Sequence, residues 1–261
     1  MIRGLFIMAA SRLLNPTLDE ARIEAEIAED PEAGRSEWLG LFRADLAQFL
    51  PDELIDKAVQ AGRMELPYQH GRSYAAFCDS SGGVHDSMTL AIAHTEAAKV
   101  AQTEGTKVVL DRLLVERPPF EPERVVQKFC EQARAFGLSK VTGDRYAAEW
   151  VAAAFRKYAI TYNPSDLDKS ALYIEALPLF AQWRVELLDV PKLLTELRLL
   201  ERRPRSGGKG DLVDHPPRAH DDAANAACGA LWMASKRPLQ TFPFTGAIIP
   251  AGQRWSPFDA R

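Results

Sequence analysis

Residues 74–83 read YAAFCDSSGG, and this stretch begins the pattern that predicts the fold class. The apolar run at residues 74–78 has the length and the aromatic content of a short β-strand, and Asp79 follows it directly. The next four residues, SSGG, favour a turn, because serine hydrogen-bonds its own backbone and glycine adopts conformations that other residues avoid. We therefore expect a strand that ends at a carboxylate and then turns back.

Two further strand-like runs follow, at residues 87–94 and 107–115, the second rich in valine and leucine. Consecutive strands joined by short connections favour an antiparallel meander. Helical and strand-like segments then alternate, which is typical of parallel strands with helices on both faces. The predicted helices cover residues 122–136, 147–157, 169–180, 191–202 and 221–235, and the predicted strands cover residues 139–142, 159–162 and 184–188.

This pattern predicts an α/β fold with a mixed sheet, first an antiparallel meander and then parallel strands, with flanking helices. Three meandering strands followed by α/β units form the ribonuclease H-like topology. Residues 1–72 form a predicted N-terminal helical arm, because apolar residues recur at helical spacing over residues 15–70. Residues 73–237 hold the α/β pattern, and residues 238–261, rich in proline, glycine and aromatic residues, predict an irregular tail. Apolar residues 4–10 are too few for a membrane span and show no signal-peptide cleavage pattern, so we interpret them as a strand.

The composition is that of a soluble globular chain: 261 residues, 46% hydrophobic and 26% charged. The net charge of −4 provides no overall positive field, so any contact with nucleic acid must come from a local basic patch. Cys78, Cys130 and Cys228 form no CxxC pair, which predicts buried thiols in a reducing cytosol. No histidine or cysteine spacing indicates a structural zinc site.

Three acidic islands lie far apart in the sequence. Asp79 and Asp144 each follow an apolar run where a strand should end, and the adjacent Asp221 and Asp222 lie where a helix should begin. Carboxylates from distant segments that meet at one sheet edge suit a nuclease with two Mg²⁺ or Mn²⁺ ions about 4 Å apart. We predict that these four aspartates are the catalytic and metal-binding residues. Neighbouring helical positions diverge by about 100°, so only one of the adjacent pair should face the metals, and we favour Asp221.

Structural explanations compete with the metal-site interpretation. Asp79 would cap its own turn, Asp144 would cap a helix, and the adjacent acids would suit a helix dipole. Asp111, within the third predicted strand, is better explained as an ion-paired or outward-facing acid. Asp86 and Asp214 are reserve candidates as metal ligands. His215 and His220 could act as ligands or as proton shuttles, and the alternative is that they only form hydrogen bonds within a loop.

One cluster of basic residues precedes Asp221 and Asp222 in the sequence. Four of its residues are predicted to bind the DNA backbone: Arg202, Arg203, Arg205 and Lys209. Clustered cations with no groove-reading helix provide a salt-sensitive attraction that does not depend on base sequence. Residues 205–210, rich in arginine and glycine, suit a hairpin tip. The alternative is a solvated helix end, because cations also favour helix C-termini.

Five segments in this order resemble the large terminase subunit of tailed phages and prophages: NPTLDEARIEAEIAEDPEAGRSEWLGLFRADL, YAAFCDSSGGVHDSMTLAIAH, VVLDRLLVERPPFEPERVV, VTGDRYAAEWV and HDDAANA. The resemblance covers nearly the whole chain and corresponds to the C-terminal nuclease half with the linker after the packaging ATPase. It implies a ribonuclease H-like endonuclease that cuts concatemeric double-stranded DNA before and after head filling in the host cytoplasm. It also implies a packaging ATPase, a small terminase subunit and a portal as partners, with no membrane contact.

The chain departs from the family because it has no G-x-x-x-x-G-K-[ST] phosphate loop. Residues 206–210, SGGKG, are too short, and Asp211 follows them in place of serine or threonine. We interpret the chain as a nuclease fragment, a split subunit or a degraded prophage remnant. The alternatives are an inactive remnant that docks packaging partners and an actin-like phosphotransferase, since DSSGG at residues 79–83 also resembles a phosphate-binding hairpin. The latter fold needs a second nucleotide-binding lobe, for which 261 residues leave little room.

Overall fold

The computed structural model describes residues 9–41, 47–84, 86–100, 103–145, 148–204 and 211–238. The helices are α1 (Ser11–Leu14), α2 (Glu20–Glu29), α3 (Pro31–Leu39), α4 (Asp52–Ala58), α5 (Pro122–Ala135), α6 (Ala148–Lys157), α7 (Lys169–Ala181), α8 (Pro191–Leu199) and α9 (Asp222–Ser235). The strands are β1 (Ala47–Gln48), β2 (Val59–Gln60), β3 (Tyr74–Asp79), β4 (Met88–Val100), β5 (Thr103–Glu116), β6 (Lys140–Gly143), β7 (Thr161–Pro164), β8 (Val185–Leu188), β9 (Glu201–Pro204) and β10 (Asp211–Asp214). Among these described residues, no helix is long and apolar enough to cross a membrane.

Within the described residues, the central sheet has seven strands in the order β2-β8-β5-β4-β3-β6-β7. Strands β3, β4 and β5 form the antiparallel meander, and β6, β7 and β8 join it in parallel. The predicted mixed α/β sheet is therefore confirmed. The register pairs Cys78 on β3 with Gly143 on β6. An aspartate follows each of these two residues, so Asp79 and Asp144 reach the same sheet edge side by side.

Helices cover both faces of this sheet. Along β3, side chains alternate between one core packed by α7, α8 and α9 and a second core packed by α5 and α6, as the period of a strand requires. Helix α9 lies close against β3, since a Cβ added at Gly229 would come within 2.4 Å of the Phe77 ring. Asp79 is two residues beyond Phe77, and its side chain therefore lies on the α9 side.

A small second sheet has the strand order β1-β9-β10. The helix predicted over residues 191–202 is therefore too long, because α8 ends at Leu199 and β9 begins at Glu201. Arg202 pairs with Ala47 and with Val213, so contacts distant in sequence set the strand conformation here. The predicted helical arm likewise contributes β1 and β2 to the two sheets.

Other predictions concern the chain ends and single residues. In the strand predicted at residues 4–10, residues 4–8 lie outside the described residues and residues 9–10 form no strand. The tail is described only at Pro238. The three cysteines are buried, as predicted. Asp111 faces inward at 1% exposure, with Oδ2 2.6 Å from Nδ1 of His94, so it is hydrogen-bonded to this histidine and not outward-facing.

Candidate metal centre

The ends of β3 and β6 place Asp79 and Asp144 on either side of one amide. Nδ2 of Asn225 lies 3.0 Å from Oδ2 of Asp79 and 2.9 Å from Oδ2 of Asp144. A side-chain amide nitrogen carries two hydrogens, so it donates one to each carboxylate. Asn225 is 1% exposed, and the two acids and the amide form a compact polar cluster at the N-terminal end of α9.

Gly143 allows the close approach of the two strands that carry these acids. A Cβ at this position would lie 2.3 Å from the carbonyl oxygen of Cys78 and 2.4 Å from Oη of Tyr162. The Tyr162 hydroxyl in turn donates a 2.8 Å hydrogen bond to the carbonyl oxygen of Asp144. The backbone at the end of β6 is therefore held against β3 by contacts that leave no room for a side chain.

We expect Gly143→Ala to destabilise the chain by about 1–3 kcal/mol, because overpacking of this size forces the backbone to move. Gly82→Ala is the matched control, since a Cβ there meets no atom of the described residues within 4 Å. Its stability should stay within about 0.5 kcal/mol of the parent. Urea unfolding followed by circular dichroism measures both, and equal stability of the two variants would contradict the packing argument.

Asp221 approaches the same cluster from the start of α9. It is 5% exposed, its Oδ2 accepts a 3.0 Å hydrogen bond from the Tyr173 hydroxyl, and it lies 2.9 Å from Nζ of Lys169. Lys169 also lies 2.7 Å from Oδ1 of Asp214, so its ammonium group bridges two carboxylates. Nε2 of His215 is 3.7 Å from Oδ1 of Asp221.

Asp222 points in a different direction. Its Oδ2 accepts a 3.3 Å hydrogen bond from the backbone N–H of Ser87 and lies 3.6 Å from Nζ of Lys192. Together with Asp86 and His220 it forms a second group whose ligand atoms lie within 4.8 Å of one another. A cleft of about 430 Å³ is lined by Asp79, Ser80, Ser81, Gly82, Val84, Asp86, Asp144, Lys169, His215, Asp221 and Asn225. Asp222 does not line this cleft, and the structure thus separates the two adjacent acids.

Burial sets the electrostatics of the cluster. It raises the pKa of Asp79 well above its usual range, and the nearby Asp144 adds to the effect while the Asn225 amide opposes it. Burial also raises the pKa of Asp144. Burial alone would lower the pKa of Lys169, but Asp221 and Asp214 raise it above its usual value. The negative charges at Asp79 and Asp144 are therefore unfavourable without a cation. The ligand atoms that these carboxylates offer are oxygens, which Mg²⁺ and Mn²⁺ prefer.

We expect this pair to reduce the stability of the metal-free chain as the pH rises. Both carboxyl groups have folded-state pKa values above the usual 3.8, so the folded state retains protons that the unfolded state has released. Their stabilising contribution is complete below about pH 3.8 and is lost as the pH rises through the raised values. With chelator present, the Tm of Asp79→Asn minus that of the parent should grow with pH, and a constant difference would contradict this.

Arg202, one of the residues predicted to contact DNA, lies inside the fold. Arg202 is 5% exposed, and its guanidinium hydrogen-bonds both carboxylate oxygens of Asp30, at 2.8 and 2.5 Å, and Oδ2 of Asp211 at 2.5 Å. Its charge is neutralised inside the fold. Arg203 is half exposed and lies 2.6 Å from Oε2 of Glu201. Arg205 and Lys209 lie outside the described residues.

Asn225 is the residue in this cluster that sequence analysis missed. Its signal was its spacing, because it lies four residues after Asp221 and therefore on the same helix face. An uncharged amide in an alanine-rich helix is otherwise inconspicuous among acidic candidates.

No family model and no curated protein matches the sequence. Solved structures do match: the chain has the ribonuclease H-like fold of phage large terminase nuclease domains. The large terminase nuclease from thermophilic phage G20c matches with a TM-score of 0.52 at 14% identity, over 69% of this chain and 95% of that chain. The large terminase nuclease domain of a Thermus phage gives 0.51 at 16% identity, over 73% and 98%. The large terminase of bacteriophage HK97 matches with a TM-score of 0.54 at 14% identity, over 85% of this chain and 53% of that chain. The chain therefore spans about half the length of the HK97 protein.

Proposed function

We propose that this chain is a metal-dependent endonuclease that cuts double-stranded DNA during phage genome packaging. One observation carries the proposal: Asp79 and Asp144 meet at the sheet edge around a shared amide, with Asp221 beside them in the same open cleft. Buried carboxylates with raised pKa values in a cleft are typical of a functional site. The fold shared with terminase nucleases agrees with this chemistry, and a crystal structure of the G20c nuclease with bound magnesium is among the matches.

Asp79, Asp144 and Asp221 are the residues that would hold two Mg²⁺ or Mn²⁺ ions. When bound, such ions lower the pKa of a water nucleophile and neutralise charge on the scissile phosphate. The chain's own residues orient the carboxylates: Asn225 fixes one oxygen each of Asp79 and Asp144, while Tyr173 and Lys169 fix Asp221. Asp222, in the group with Asp86 and His220, is the member of the predicted four that would bind an ion apart from Asp79, Asp144 and Asp221 or support their ligands from outside.

The test is cleavage of supercoiled plasmid by purified protein, with Mg²⁺ or Mn²⁺ and with or without a chelator. We expect nicked and linear products that appear only when the divalent ion is present. Absence of cleavage under all divalent-ion conditions would contradict the proposal. A concatemeric substrate, tested with a packaging ATPase, a small terminase subunit and a portal, extends the test to the proposed partners.

We further propose that Arg203, Arg205 and Lys209 contact the DNA backbone. Replacing all three with glutamine should weaken binding to every DNA sequence alike. Each lost phosphate contact should lower the magnitude of the log–log salt slope by about 0.9. Binding is measured by fluorescence anisotropy over a salt series in chelator.

The charge-matched control replaces Lys57, Lys128 and Lys157, whose side chains are 44%, 53% and 58% exposed and lie outside the cleft. It loses the same number of positive charges from the surface. Equal salt slopes for the two triple variants would show that net charge, and not the segment around Arg203, governs binding.

A further inference from the structure

Helix α9 begins without the hydrogen bond that the side chain of an N-cap residue normally accepts. Asp221 occupies the N-cap position, where an aspartate usually accepts a hydrogen bond from the second or third N–H of the helix. The Asp221 side chain makes no such bond. Its carboxylate instead faces Tyr173 and Lys169 at the metal cluster.

Glu196, from α8, supplies the missing acceptor. Its Oε2 accepts hydrogen bonds from the backbone N–H groups of Ala223, at 2.7 Å, and of Ala224, at 3.0 Å. These are the second and third residues of α9, the two that an N-cap side chain would serve. Glu196 is 5% exposed, and Lys192, one helical turn earlier, lies 2.5 Å from its other oxygen. A negative charge at a helix N-terminus also interacts favourably with the helix dipole.

We propose that Glu196 is a positioning residue that caps α9 in place of Asp221 and so keeps the Asp221 carboxylate available for a metal ion. The inference rests on the proposed function. To cap its own helix, the Asp221 side chain would have to turn away from Tyr173 and Lys169, which it now contacts. Ala223 and Ala224 are fully buried, so their N–H groups need an acceptor within the protein. Without Glu196, Asp221 is the acid at the N-cap position, from which a side chain normally caps the helix, and capping would draw it away from Asp79 and Asp144.

The first test compares Glu196→Ala with Glu196→Gln by calorimetric titration with Mn²⁺. Alanine removes the acceptor, and the Mn²⁺ affinity should fall about 10- to 100-fold, the range typical when a group that orients a metal ligand is lost. Glutamine keeps a carbonyl oxygen at the same reach and should retain most of the affinity. A crystal structure of the alanine variant should show the Asp221 side chain bonded to its own helix.

A matched control separates positioning from loss of a helix cap as such. Asp19 caps α2 in the N-terminal arm through a 3.0 Å hydrogen bond from the Ala21 N–H. Asp19→Ala also removes a helix cap, and it should leave Mn²⁺ affinity unchanged. A fall in affinity equal to that of Glu196→Ala would attribute the effect to general destabilisation and overturn the inference.

The second test repeats Glu196→Ala in an Asp221→Asn background. If Glu196 acts through the Asp221 carboxylate, its removal should reduce Mn²⁺ affinity in the parent and have almost no further effect in the Asp221→Asn background. An equal loss in both backgrounds, or no loss in the parent, overturns the inference while Mn²⁺ binding by the parent still supports the proposed function. A parent chain that binds no Mn²⁺ overturns the proposed function and this inference together.

Discussion

Asp79→Asn should abolish plasmid cleavage while leaving the fold intact. The substitution removes a negative charge and keeps the side-chain volume, so the strand end and the cleft retain their shape. Asp79 is a central member of the cluster, sharing Asn225 with Asp144. Loss even of an outer partner of a metal ligand reduces activity or affinity about 10- to 100-fold, so loss of a ligand should exceed about 100-fold. Initial cleavage rates and Mn²⁺ titrations measure the effect.

The same variant carries its own test of folding. Because burial and Asp144 disfavour the charged form of Asp79, the neutral asparagine should leave metal-free stability equal to or above that of the parent at neutral pH. Asp56→Asn, at an exposed acid that pairs with Arg198 and does not line the cleft, is the control and should cleave normally. Cleavage by Asp79→Asn at the parental rate would show that this carboxylate is not a metal ligand.

The sequence was sufficient for strands β3 to β8 of the central sheet, though not for β2, because the signals for those six strands are local. The apolar run before Asp79 and the apolar residues before Asp144 mark strand ends, and the register of β3 against β6 then places both acids together. Local signals failed at Arg202. Residues 191–202 have helical spacing, but β9 forms because its partners, residues 47–48 and 211–214, are supplied by distant parts of the chain. No pattern within the segment itself reveals those partners.

Some of the geometry around the predicted site residues followed from local rules. Helical geometry required Asp221 and Asp222 to diverge, and they do. The direction in which each one points depends on which group caps α9, and Glu196 lies 25 residues before Asp221 on another helix. Asn225 was missed because its role follows from the approach of α9 to β3 at Gly229 and Phe77, which only tertiary packing sets.

Arg202→Met should be the most destabilising of the single substitutions considered for the basic segment. Burial alone would lower the pKa of Arg202, but Asp30 and Asp211 raise it, so the guanidinium stays charged between two carboxylates. Asp30 also caps α3 through a 3.1 Å hydrogen bond from the Ala33 N–H. Removing the cation breaks a poorly exposed ion pair with both acids at once, a change that typically reduces stability by about 3–5 kcal/mol. Urea unfolding in chelator measures the loss.

Arg203→Met is the matched control, because Arg203 is the next residue on β9 and its ion pair with Glu201 is half exposed. Water screens such pairs, and the loss should stay below about 1 kcal/mol. In DNA binding the order of the two effects should be reversed. Arg203→Met should lower the magnitude of the salt slope, and Arg202→Met should leave it unchanged under conditions where both variants are folded. If Arg202→Met were instead fully stable and lost a phosphate contact, the ion pairs with Asp30 and Asp211 would be incidental, and the basic segment would bind DNA as a continuous patch.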